Sequence, residues 1–158
     1  RPYGLITALM TVGVISAGCG WSPPAGPPTT SVNCTQADGP DADTVASEIK
    51  RLPPAPQWQE ILSGHTADCT LHWVVVTSGD ASDSPGQVLF FDRKSPIGTA
   101  TPDPRPYITV IAIGNDTASV QYQWRQGQEP ACCPTGIGTV RFKIEDGKLK
   151  ALDPIPNS

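Results

Sequence analysis

Charge is scarce in this chain. Only 16% of its 158 residues are Asp, Glu, Lys or Arg, and the net charge is −4. The densest basic spots are Lys50-Arg51 and Lys148-Leu149-Lys150, so no basic stripe exists to neutralise a phosphate backbone, and nucleic acid is excluded as a partner. Histidine is nearly absent: His65 and His72 are the only two. No HExxH, GxSxG or phosphate-cradling glycine loop occurs, so no reaction is named by motif. A long apolar run is missing as well. The stretch Leu5 to Ala17 (LITALMTVGVISA) is thirteen uncharged residues. As a helix it would cover roughly 20 Å, short of the ~30 Å hydrocarbon core of a bilayer.

What the chain does have begins with that run. It has no polar face to set against solvent, as a surface helix needs, and it ends in small residues, as the apolar region of an export signal does. Ser16-Ala17-Gly18-Cys19 resembles the bacterial lipobox, departing from it at Ser16, where an aliphatic residue is usual. The expectation is a leader over residues 1–18 and a lipidated Cys19, anchored stably once it carries two or more acyl chains. Gly20 to Asn33 (GWSPPAGPPTTSVN) holds four prolines and no charge, the composition of an extended, semi-rigid tether. Residues 34–158 then form one domain, long enough to bury a sizeable core.

Four further cysteines, Cys34, Cys69, Cys132 and Cys133, are an even number in an exported domain and point to disulfides. Three connectivities are open. Cys34 to Cys69 closes a long loop, contributes about 3–4 kcal/mol, and leaves Cys132 and Cys133 for a vicinal bond or a redox role. The alternatives send each of that pair to Cys34 and Cys69.

Asp41 is placed to cap a helix with Val45, Ile49 and Leu52 on one face, stopped by Pro53-Pro54. A second helical turn is expected at Trp58, Ile61 and Leu62. Beyond Cys69 the period becomes two. Leu71 to Thr77, Val88 to Phe91 and Tyr107 to Ile113 are apolar on both faces, as central strands are. Ser119 to Arg125 and Thr139 to Ile144 alternate, with Val120, Tyr122 and Trp124, and Val140, Phe142 and Ile144, facing inward. Gly114 to Thr117 and Asp146-Gly147 are tight-turn signals, so the pairing is antiparallel. The expected fold class is α+β: an N-terminal helix packed on an antiparallel sheet of five or six strands, with a β-sandwich as the competitor. That fold buries Val45, Ile49 and Leu52 against one sheet face.

Two constellations hold metal-ligand residue types. His65-x₃-Cys69-x₂-His72 has ligand types for zinc but not zinc spacing, and an exported Cys69 is better spent in a disulfide. Asp38 to Asp43 is rich in oxygen but lacks the calcium-loop pattern, and helix capping accounts for it. No metal or cofactor is expected. Two surfaces remain for recognition. One is the proline-stiffened loop that displays Arg105 ahead of Tyr107. The other is the outward face bearing Gln121, Gln123 and Arg125, suited to protein or glycan.

The lipobox, the proline-rich tether, VLFF, GTATPDPRPY, VQYQWRQGQ and GTVRFKI together resemble the LppP/LprE family of mycobacterial lipoproteins. The resemblance implies a lipid-anchored envelope protein on the extracytoplasmic side of the cell membrane and brings with it no established enzymatic activity or catalytic residue; the chain is expected not to be an enzyme. The function expected is a non-catalytic module binding an envelope or host protein or a glycan. The alternative is a carrier of lipid or another small apolar ligand, with a pocket between helix and sheet.

Overall fold

The computed structural model describes residues 33–157. The expected leader 1–18, Cys19 and the tether up to residue 32 lie outside them. Among the described residues, no helix is long and apolar enough to cross a membrane.

Among the described residues, eight strands form two antiparallel meanders. In the first sheet, β1 (Gln59–His65), β2 (Leu71–Thr77), β3 (Gly86–Asp92) and β4 (Ser95–Thr99) lie side by side in chain order. In the second, β5 (Thr109–Ile113), β6 (Thr117–Trp124), β7 (Gly136–Glu145) and β8 (Lys148–Ala151) do the same. Asp146 and Gly147 both have positive φ, 52° and 73°, the backbone that a two-residue hairpin between β7 and β8 requires. The one α-helix among the described residues, α1 (Ala42–Lys50), is capped by Asp41, whose carboxylate accepts from Thr44 N–H at 2.7 Å.

The inner faces of the two sheets make the main core. Leu71, Trp73, Val75, Val88 and Phe90 from the first meet Val110, Ala118, Val120, Tyr122, Val140 and Phe142 from the second. The opposite face of the first sheet presents Val74, Val76, Leu89 and Phe91, which are covered by Val45 together with the half-buried Ile49, Leu52 and Trp58. Strands β2 and β3 are therefore buried on both sides, which is why Trp73 to Val76 and Val88 to Phe91 are apolar without interruption. The stretch that carries the chain from one sheet to the other is fixed by polar contacts. Gln87 donates to Thr101 C=O at 2.9 Å, and Tyr122 donates its phenol to Ala100 C=O at 2.8 Å.

This architecture corrects the expected α+β fold. The inner face of the first sheet is covered by a second sheet, not by a helix, and eight strands replace the five or six expected. Three strands escaped the sequence reading for separate reasons. In β1 the first five residues are all exposed, so no alternation marks it, and the helical turn expected around Ile61 is strand instead. Strand β4 contains Pro96 and Gly98, and β8 is four residues with two lysines. All three are edge strands, where burial imposes least on the sequence.

Candidate functional site

The outer face of the first sheet carries a groove of about 830 Å³ between α1 and β1. Val45, Ala46 and Ile49 line it from the helix, Ser63 and His65 from β1, and His72 and Val74 from β2. Two glycines let these walls approach. A Cβ on Gly39 would lie 2.6 Å from His72 Nδ1, so the imidazole packs directly on backbone. A Cβ on Gly64 would collide with the indole of Trp73, its cross-strand partner.

One end of the groove is tied by the bond between Cys34 and Cys69. Cys69 takes a left-handed backbone, φ 64°, in the β1–β2 turn. Around it Asp68 accepts from the Thr66 and Thr70 hydroxyls, both at 2.7 Å, and from Thr70 N–H. Burial pushes the Asp68 carboxyl up, but these hydrogen bonds outweigh it and hold the group below its ordinary value. Ala67 N–H and Asp68 N–H donate to Gly114 and Asn115 C=O, joining this turn to the β5–β6 turn of the second sheet. The nearby one-turn helix Gln36–Asp38 is closed by Thr35 N–H donating to Asp38 at 2.8 Å. Asp38 and Asp41 are thus spent on caps.

His65 and His72 face each other across the β1–β2 pair, ring centroids 5.3 Å apart. His72 is buried, and its Nε2 lies 3.0 Å from Cys69 C=O; His65 Nδ1 lies 2.9 Å from Thr66 C=O. Burial lowers the His72 pKa below its ordinary 6.5; the Cys69 carbonyl and Asp38 oppose this, while His65 and Arg93 add to it. The fold therefore prefers neutral His72, and the unfolded chain takes up the proton first as pH falls. Stability held by this group is fully present above pH 6.5 and is lost as pH drops through the folded-state value. The expected result is a urea midpoint that declines below pH 6.5 in the parent chain and declines less over the same interval in His72→Gln.

The residues singled out for recognition are not gathered into one surface. Gln121 and Gln123 lie on β6 opposite the buried Val120 and Tyr122, and Arg125 follows at the strand exit, 3.9 Å from Asp83. Arg105 sits on the other side of β6. Its guanidinium lies 5.2 Å from the Tyr122 ring centroid, donates to Pro156 C=O at 2.8 Å, and its backbone bridges to Gly86. Tyr107 donates its phenol to Ala131 C=O at 2.6 Å. Arg105 and Tyr107 therefore brace the inter-sheet connection. Cys132 and Cys133 are bonded to each other. The groove residues Ala46, Ser63 and Gly64 were missed because nothing local marks them; only the fold brings α1 and β1 to the two sides of one groove.

No solved structure matches the chain. Curated relatives do. Proteins named "Putative lipoprotein LppP" from Mycobacterium tuberculosis (strain ATCC 25618 / H37Rv) and Mycobacterium bovis (strain ATCC BAA-935 / AF2122/97) are each 52% identical to it over 151 residues. The alignment covers 92% of this chain and 86% of each relative. The profile of the LppP/LprE lipoprotein family matches residues 63–147, from the end of β1 to the β7–β8 turn. A family of lipoproteins implies a membrane-anchored envelope protein. By both measures, this chain belongs to the LppP/LprE lipoprotein family.

Proposed function

We propose that this chain is a non-catalytic binding lipoprotein, anchored through Cys19 on the extracytoplasmic side of the membrane, that holds an extended segment of another envelope protein. The observation that supports this is a strand edge lying beside a groove. Among the described residues β1 pairs only with β2, so its outer edge offers backbone donors and acceptors. The groove next to that edge is walled by the helix residues Val45, Ala46 and Ile49. An added strand would take its main-chain hydrogen bonds from β1 and drop alternate side chains between β1 and α1. The bulge between Glu60 and Leu62 interrupts the edge, leaving Leu62 to His65 as the regular stretch for pairing.

Ala46 is exposed on α1 and lines the groove, so Ala46→Trp fills it without entering the core. Selection from a displayed random-peptide library is expected to enrich peptides with apolar residues at alternate positions on the parent chain. On Ala46→Trp the same peptides bind at least about tenfold more weakly, about 1.4 kcal/mol, with the melting temperature unchanged. Equal binding to both chains, or no enrichment on the parent, overturns the reading.

A small apolar ligand in the same groove is the second reading, favoured by Val45, Ile49 and Val74 among its lining. It requires lipid to copurify with the parent chain and to be depleted from Ala46→Trp, as read by organic extraction and mass spectrometry.

A further inference from the structure

The β6–β7 connection carries a bond between adjacent cysteines, Cys132 and Cys133, and both residues are exposed. Its contribution as a staple is negligible, because a link between neighbours removes almost no freedom from the unfolded chain. Nor does the loop need it for shape. Before the pair, Tyr107 donates to Ala131 C=O at 2.6 Å; across it, Cys133 N–H donates to Pro130 C=O at 3.1 Å. The loop ends are clasped by Glu129, which accepts from Gln126 N–H at 2.8 Å, from Thr135 N–H at 3.0 Å and from the Thr135 hydroxyl. Hydrogen bonds and two flanking prolines thus hold this segment independently of sulfur. The other disulfide is the opposite case: it spans 35 residues and Cys69 is buried.

We propose that Cys132–Cys133 is a thiol–disulfide exchange site whose substrate is an exported or small-molecule dithiol. A thiolate of the dithiol attacks one Sγ and forms a mixed disulfide with that cysteine, the Sγ–Sγ bond breaks, and the other cysteine leaves as a thiolate. The second thiol of the reductant then attacks its own mixed-bonded sulfur. The dithiol departs as its cyclic disulfide, and this chain, taking up two electrons and two protons, carries two free thiols. Access to sulfur governs such exchange, and here both sulfurs sit on exposed residues of one loop. The mapping is selective within the molecule: one disulfide holds the fold, and the other is open to chemistry.

The test uses the full chain purified in detergent from mycobacterial membranes, treated with graded dithiothreitol, quenched with iodoacetamide and mapped by peptide mass spectrometry. Cys132 and Cys133 are expected to become alkylated at about tenfold lower reductant than Cys34 and Cys69. The melting temperature should hold through the first opening and fall at the second. Coincident opening, the reverse order, or alkylation of Cys132 and Cys133 without reductant overturns the proposal. The double variant Cys132→Ser, Cys133→Ser should fold with the parent melting temperature and consume no dithiothreitol at the lower concentration. A destabilised double variant shows the bond to be structural and overturns the proposal equally.

Discussion

Serine at both Cys34 and Cys69 lowers the unfolding free energy by about 4 kcal/mol, read as a reduced urea midpoint by tryptophan fluorescence. The magnitude follows from the 35-residue separation that the bond closes, whose freedom returns to the unfolded chain when the link is removed. A domain of this size has a total stability of about 5–15 kcal/mol, so the loss is a large share. It is also localised. The bond fastens the segment ahead of α1 to the β1–β2 turn, and that turn in turn holds Gly114 and Asn115. Peptide selection by the groove should fail in this variant at temperatures where the two sheets still hold. A loss below about 1 kcal/mol would mean that the capping bonds of Thr35 and Asp41 secure this end without sulfur.

The second large effect belongs to the interior. Phe90→Ala is expected to remove about 3–5 kcal/mol, through lost burial and the cavity left behind. Phe90 has no exposed surface and faces the second sheet, where its ring lies 5.0 Å, centroid to centroid, from Phe142 on β7. That contact joins the sheets directly. A double-mutant cycle with Phe142→Ala should return a coupling of about 0.5–1.5 kcal/mol beyond the separate losses. Strict additivity would contradict face-to-face packing of β3 on β7.

Several pieces of this fold are legible in the residues because burial writes a pattern there. Trp73 to Val76 and Val88 to Phe91 are apolar without interruption, and the reason is physical: each strand has the second sheet on one side and the helix layer on the other. Val120 and Tyr122 alternate with Gln121 and Gln123 because β6 has only one buried face. Asp41 announces its helix through a hydrogen bond to a residue three positions on. The misreading came at the edges. Ile61 and Leu62 look like core residues in a turn of helix, yet they are exposed on β1. With that strand unrecognised, the first sheet lacked its edge, and the count of strands suited one sheet better than two. The groove was hidden for the same reason, since it exists only once β1 stands beside α1. Arg105 illustrates the limit from the other direction. Its position between prolines suggests display, but the Tyr122 ring and Pro156 C=O draw it inward, and neither neighbour is close in sequence.

The bond from Cys34 to Cys69 also decides how the molecule bears a mechanical load. Any tug arriving along the chain from before Cys34 passes through sulfur to the β1–β2 turn, and from there through Ala67 and Asp68 into the other sheet. Helix α1 and strand β1 lie between the two cysteines in the chain, so the covalent path through sulfur bypasses them. Traction from that side is therefore carried past α1 and β1 while the bond is closed, and would run along α1 once it is opened.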